Sequence, residues 1–223
     1  MKKVVLAFAV FIIPFIGHTQ GVVDFSYGGG QKLSFQTKKT ERESISGSPY
    51  ISEAYLPVKL SILENENILV RYNAADDEME FNKSGEVYYV PKSDDMKIKF
   101  LSSGKEYHYT PYNDKGELIN GYLVLLAESE KISLYKKEQI KLIPAKETTN
   151  GYDSPKPAEY KKVNDTFFLE LNGSIDNFPK NKKELLRKFS KNETEISEYL
   201  KKNKTSFSRE VDLVELTKFL NTL

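Results

Sequence analysis

Through the middle of the chain hydrophobic residues alternate with polar ones, and this period of two predicts an antiparallel sheet with one buried face. Val58, Leu60 and Ile62 alternate with Lys59 and Ser61, Met79 and Phe81 with Glu78 and Glu80, and Ile98 and Phe100 with Lys97 and Lys99. Turn residues separate the runs at 82–85, 102–104 and 113–116, each supplying Gly or Asn where the backbone needs a positive φ. The spacing leaves no room for crossover helices, so residues 55–145 read as a meander. Residues 122–127 are apolar on both faces, which predicts a central strand covered from both sides. Residues 132–135 and 139–143 are expected to continue that sheet. A polar segment at 146–165, with Gly151, Pro155 and Pro157, reads as a long connecting loop. The dipeptide Asn172-Gly173 between two short apolar runs predicts a hairpin. Ahead of the sheet, Gly28-Gly29-Gly30 reads as a lead-in or turn before a first strand at 32–36.

After Pro179 the period changes to that of a helix. Residues 181–189 place Leu185, Leu186 and Phe189 on one face. Ser190 with Glu193 reads as a capping box opening a second helix that carries Ile196, Tyr199 and Leu200. A third helix is expected after Ser208, with Leu213, Leu216, Leu220 and Leu223 as its apolar stripe, widened by Val211 and Phe219. The expected fold class is α+β: an antiparallel β-meander or partly closed barrel at 20–178, then a small C-terminal helical cap of two to three helices at 179–223.

The N-terminus changes the picture of where the chain works. Lys2 and Lys3 precede an apolar run at 4–16, which is too short for the roughly 20 residues of a membrane span. Positive start, short apolar run and small or polar residues predict a signal peptide at 1–19, cut after Thr19 or, as second choice, Gln20. The expected location is the periplasm or the extracellular space, with no transmembrane segment after cleavage. The chain has no Cys, so a lipobox anchor and disulfides are excluded and stability must come from an apolar core. Of 33 basic and 32 acidic residues, Lys2 and Lys3 leave with the signal peptide, moving the balance from +1 to −1. A charge so close to zero offers no field to attract nucleic acid.

The stretch Arg71-Tyr72-Asn73 with Asp77 to Phe81, and the pattern from Tyr199 to Lys204 leading to Asp212-Leu213, resemble uncharacterised exported proteins of Bacteroidetes. The resemblance implies a Gram-negative envelope setting and no particular activity.

Candidate chemistry is sparse. His108 stands between Tyr107 and Tyr109 on an expected strand, sharing its face with Thr110, and reads as a surface or edge histidine. One mature His and no Cys leave no expected metal site, cofactor or catalytic residue. Asp76, Asp77, Glu78 and Glu80 are contiguous and lack the Gly of a calcium loop, so they read as a solvated hairpin end. Ser133 and Lys136 have the spacing of a serine–lysine pair, but three residues apart on a strand they point to opposite faces. Tyrosines concentrate in the sheet, and Tyr107, Tyr109 and Tyr122 are the candidate ligand-binding residues. The leading expectation is a non-enzymatic role in which a small ligand or another envelope protein is bound. A carrier would instead enclose an apolar ligand in a pocket lined by Phe81, Phe100 and Tyr122. A carboxylate hydrolase would need two acids converging in a cleft.

Overall fold

The computed structural model describes residues 45–94, 96–146 and 155–223, with the backbone alone at 22–27, 31–36 and 63–67. The signal-peptide segment and the glycine triplet fall outside the described residues.

A hairpin of β1 (Val22–Tyr27) and β2 (Gln31–Gln36) stands as its own two-stranded sheet, so the strand expected at 32–36 has a partner before it. The main sheet begins with β3 (Leu56–Leu60), β4 (Leu63–Asn73), β5 (Glu78–Lys83) and β6 (Glu86–Tyr89). It continues through β7 (Lys97–Phe100), β8 (Glu106–Asp114), β9 (Glu117–Ala127) and β10 (Ile132–Lys137). The chain then leaves the sheet. The segment at 139–143 does not extend it: β11 (Ile140–Ile143) pairs with β12 (Glu159–Lys162) in a separate ribbon, so part of the expected loop is a strand. Strands β13 (Thr166–Leu171) and β14 (Ser174–Asn177) return to the main sheet.

The strand order is β6-β5-β4-β3-β7-β8-β9-β10-β13-β14, a meander interrupted once where β3 pairs with both β4 and β7. Three hairpins turn through two residues of positive φ, Ser84-Gly85, Lys115-Gly116 and Asn172-Gly173, as the right-handed twist of the strands demands. Strand β14 also lies parallel to β8, with Asp176 beside Asn113, and this contact closes β8, β9, β10, β13 and β14 into a five-stranded barrel. Side chains hold the closure. Asn113 Nδ2 donates to Asp176 Oδ1 at 2.9 Å, the Lys115 N–H to Asn177 Oδ1 at 2.7 Å, and Asn177 Nδ2 to Asp114 Oδ1 at 3.0 Å.

Strands β8 and β9 serve two cores, one on each face. Tyr107, Tyr122 and Val124 face the larger curled sheet, where they pack with Val58, Val70, Tyr72, Met79 and Ile98. Tyr112 and Leu123 face the barrel interior, filled by Tyr135, Phe168 and Ile175. Covering on both sides is what the two-faced apolar run at 122–127 requires.

The helical cap covers the outer face of β10 and β13. Its helices are α1 (Lys182–Lys188), α2 (Glu193–Asn203) and α3 (Glu210–Leu220), with a 3-10 turn at Ser190–Asn192. Leu185, Ile196, Leu200, Leu213, Leu216 and Leu220 pack there on Ile132, Leu134 and Leu169. Two capping expectations fail. The box forms one helix earlier: Asn181 accepts the Glu184 N–H at 3.0 Å while Glu184 accepts from the Lys180 N–H at 3.0 Å. Helix α2 begins instead after the 3-10 turn without a side-chain cap, and α3 after Arg209 rather than Ser208. Val211, placed on the apolar stripe by its spacing, is exposed, as is Leu223.

Candidate functional site

The two ends of the barrel differ. At one end β10 departs from β9 after Lys136 pairs with Val124, which leaves the backbone of Tyr122 without a strand partner on that side. The β4–β5 turn fills the gap. Asp77, at φ +57°, presents its carboxylate to the Tyr122 N–H at 3.3 Å and forms an ion pair with Lys137. Lys137 Nζ donates to the Tyr122 carbonyl at 3.0 Å, and the Tyr72 hydroxyl donates to Asp77 at 2.6 Å. A side-chain pair thus replaces a missing strand. Gly121 makes room for it, because a Cβ there would collide with the Asp77 carboxylate. Burial lowers the Lys137 pKa against the pull of Asp77, and burial followed by the field of Asp77 raises that of Tyr72. The Tyr112 hydroxyl is pushed up to about 12 by burial and then by Asp77 and Asp114.

Of the remaining acids of this turn, Asp76 is exposed as a solvated hairpin end requires, but Glu80 is not. Glu80 is fully buried, held by Arg71 at 3.0 Å, by Asn73 at 3.1 Å and by the Tyr50 hydroxyl at 3.1 Å. Asn73 also binds Asp76, and Lys92 pairs with Glu78. Asp76, Asp77, Glu78 and Glu80 are therefore distributed among partners that lie far off in sequence or on the neighbouring strand. A buried carboxylate needs such pairing, which a solvent-facing strand position does not supply.

At the opposite end, where the start of β8 has moved away from β14 to pair with β7, a partly open cavity of about 690 Å³ lies between the barrel mouth and the helical cap. His108 forms part of its wall. It is 7 % exposed and so neither a surface nor an edge histidine, because closure of the barrel turns the second face of β8 inward. Glu106, two residues earlier on the same face, lies 2.8 Å from His108 Nε2. Tyr135 packs edge-on against the His108 ring with centroids 5.7 Å apart, and its hydroxyl donates to Glu170 Oε2 at 3.2 Å. Burial, then Glu170, raises the Tyr135 pKa, with Glu128 and Glu106 adding to the shift.

Ser133 and Thr110 also line this wall, and neither hydroxyl has a hydrogen-bond partner among the described residues, although Ser133 is buried. Lys136 points to the other side of β10, where it binds Glu210 of α3 at 2.7 Å, so the serine–lysine spacing brings no pair together. The rim is anchored by the helical cap: Asn221 donates to the Ile132 carbonyl at 3.1 Å and contacts the Ser129 hydroxyl. A wider depression of about 900 Å³ beside α1 has no buried residue in its lining.

Of the three candidate tyrosines, Tyr109 borders the cavity, while Tyr107 and Tyr122 do not. Both are buried in the larger core, where the Tyr107 hydroxyl contacts Glu138 and the Tyr122 ring lies 5.1 Å from Tyr109. Phe81 and Phe100 are packed in that core as well. Sequence reasoning missed Glu106, Tyr135 and Glu170, and weighed Ser133 only as a partner of Lys136. The local signal for Glu106 is a polar alternation, Glu106-x-His108-x-Thr110, which reads as a solvent face until the barrel closes over it. Among the described residues no cluster of three or more metal-binding side chains occurs, and no helix is long and apolar enough to cross a membrane.

No protein family, curated protein or solved structure matches the chain, so the case for function rests on the site alone. Fold and site together define a closed five-stranded barrel flanked by a larger curled sheet, with a polar cavity at its capped mouth.

Proposed function

We propose that this is an exported binding protein that holds a small hydrophilic ligand in the cavity at the barrel mouth. The observation that carries the reading is the unmet hydrogen-bonding capacity of that wall. Buried polar groups in folded proteins are ordinarily paired, as the Lys137, Asp77 and Tyr72 side chains at the other end of the barrel are. Ser133 and Thr110 are left unpaired where a ligand could reach them. The cavity is within the size range of small-molecule sites, and the polar groups of its wall favour a hydrophilic ligand over an apolar one. Export follows from the segment at 1–19, and absence of Cys suits it to a soluble rather than a lipid-anchored form.

Native mass spectrometry of the protein purified gently from its own host's envelope fraction tests this. The expected result is an added mass of roughly a few hundred daltons, as sites of this size hold. That mass should be absent from the folded Tyr135→Ala variant. A bare protein, or an added mass indifferent to Tyr135, would overturn the assignment.

A further inference from the structure

We infer that the group recognised in this cavity is an alkyl ammonium or guanidinium, because the wall around His108 and Tyr135 presents free hydrogen-bond acceptors while the lysines of the lining stand exposed at the rim. The inference rests on reading the cavity as a ligand site and names the chemistry that site selects.

In a neutral imidazole one nitrogen donates and the other accepts. With Glu106 against Nε2, the ring donates there, and in the neutral ring Nδ1 is then the acceptor. Glu170 receives the Tyr135 hydroxyl on Oε2, so Oε1 has no hydrogen-bond donor among the described residues. Glu128 is exposed at the rim, with no ion pair or hydrogen bond among the described residues. Ser133 and Thr110 can each accept as well as donate. A group carrying several N–H donors and a positive charge satisfies this set, whereas a carboxylate or phosphate would face Glu170 and Glu128.

The field and the aromatic surface point the same way. Three glutamates, Glu128, Glu130 and Glu170, border the cavity against two lysines, Lys97 and Lys131, with Glu106 behind His108. Both lysines are exposed, and Lys97 lies opposite His108 on the neighbouring strand. The negative charge is therefore concentrated around Tyr135, whose ring adds a cation–π surface. Lysines at the rim suit a ligand whose far end carries a carboxylate. Arginine meets both conditions and agmatine only the first.

The test uses agmatine and arginine as cationic probes, with glutarate and glucose as comparators. Each is titrated into the full mature protein while the ring resonances of His108 are followed by NMR. Agmatine and arginine should shift the His108 ring saturably, and glutarate and glucose should not. Glu170→Gln should weaken binding about tenfold, the scale of one charge-assisted hydrogen bond. If that variant is unfolded by its melting curve, Glu128→Gln at the exposed rim replaces it, with a smaller loss in the same direction.

Saturable binding of glutarate or glucose at His108 without binding of the cations would overturn the inference and leave the cavity reading standing. If none of the four perturbs His108 and the natively purified protein is also bare, both fail. Cation binding unaffected by either glutamine variant would overturn the acceptor argument.

Discussion

The two ends of the small barrel use the same residue types to opposite effect. At the β9–β10 gap, Lys137, Asp77 and Tyr72 bind one another and the backbone of Tyr122, and no lining residue of the mouth cavity comes from this group. At the mouth, Glu106, His108, Tyr135 and Glu170 are paired along the wall, but hydroxyls and one ring nitrogen beside them are not. Charge inside a β-structure therefore says little about role. What separates a brace from a recognition surface is whether the hydrogen-bonding capacity is used up within the chain.

The sharpest way to break this comparison is to remove one partner at the filled end. Asp77→Ala leaves the Lys137 ammonium buried without its counter-charge and the Tyr122 N–H without an acceptor, so unfolding by denaturant should show a loss of about 3 kcal/mol. A loss below about 1 kcal/mol, the scale of an exposed ion pair, would mean that the turn is not a brace. Gly121→Ala comes next. Alanine suits a strand better than glycine, so any destabilisation reports the collision with the Asp77 carboxylate. About 2 kcal/mol is expected by the same measurement, on the scale of overpacking.

A smaller effect, with a pH signature, tests unmet capacity away from the cavity. Asp165 has a buried Oδ1 without a partner, and Lys136 lies 3.8 Å from its other oxygen. Burial raises its pKa above 3.8; Lys136 and Lys162 oppose the rise, while Glu138 and Glu210 add to it. The folded chain thus holds this proton to higher pH than the unfolded chain, and stability is lost as pH rises through the folded value. Asp165→Asn should be slightly more stable than the wild type at neutral pH, and the gain should fade as pH falls through the folded value and be gone at 3.8 and below. Lys136 keeps Glu210 in the variant, so no charge is stranded. Melting temperatures across that range decide it. A variant less stable at neutral pH would show that the Lys136 contact outweighs burial.

Much of this architecture is legible along the chain because it depends on local alternation. The period of two at Val58, Leu60, Ile98 and Phe100, the Asn-Gly turn at 172–173 and the two-faced run at 122–127 each name their own structure. What is not legible depends on partners distant in sequence. Glu80 looks solvent-facing because its neighbours alternate correctly, and partners off its own strand, Arg71 and Asn73 on β4 and the Tyr50 hydroxyl, make its burial tolerable. His108 and Thr110 look exposed because the strand that encloses them, β14, lies more than sixty residues later. The capping box is misread for a different reason: Asn181–Glu184 and Ser190–Glu193 have the same spacing, and the reciprocal bonds form at the first. The tyrosines show the limit of a face assignment, since Tyr107, Tyr109 and Tyr122 share one face and only Tyr109 borders the cavity.

The smallest expected effect on stability is at the mouth itself. Ser133 is buried, and a buried serine with both roles satisfied would normally lose stability when truncated. Here the hydroxyl has no partner to abandon, so Ser133→Ala should leave the unfolding free energy within about 0.5 kcal/mol of wild type. The same substitution removes an acceptor from the cavity wall, so the affinity for a bound cation should fall even though the fold is untouched. Denaturation and an agmatine titration on one preparation separate the two quantities. A stability loss comparable to that of Asp77→Ala would place Ser133 with the brace rather than the site. Unchanged stability with weakened binding would mark the mouth as the end of the barrel whose polar groups are kept for something outside the chain.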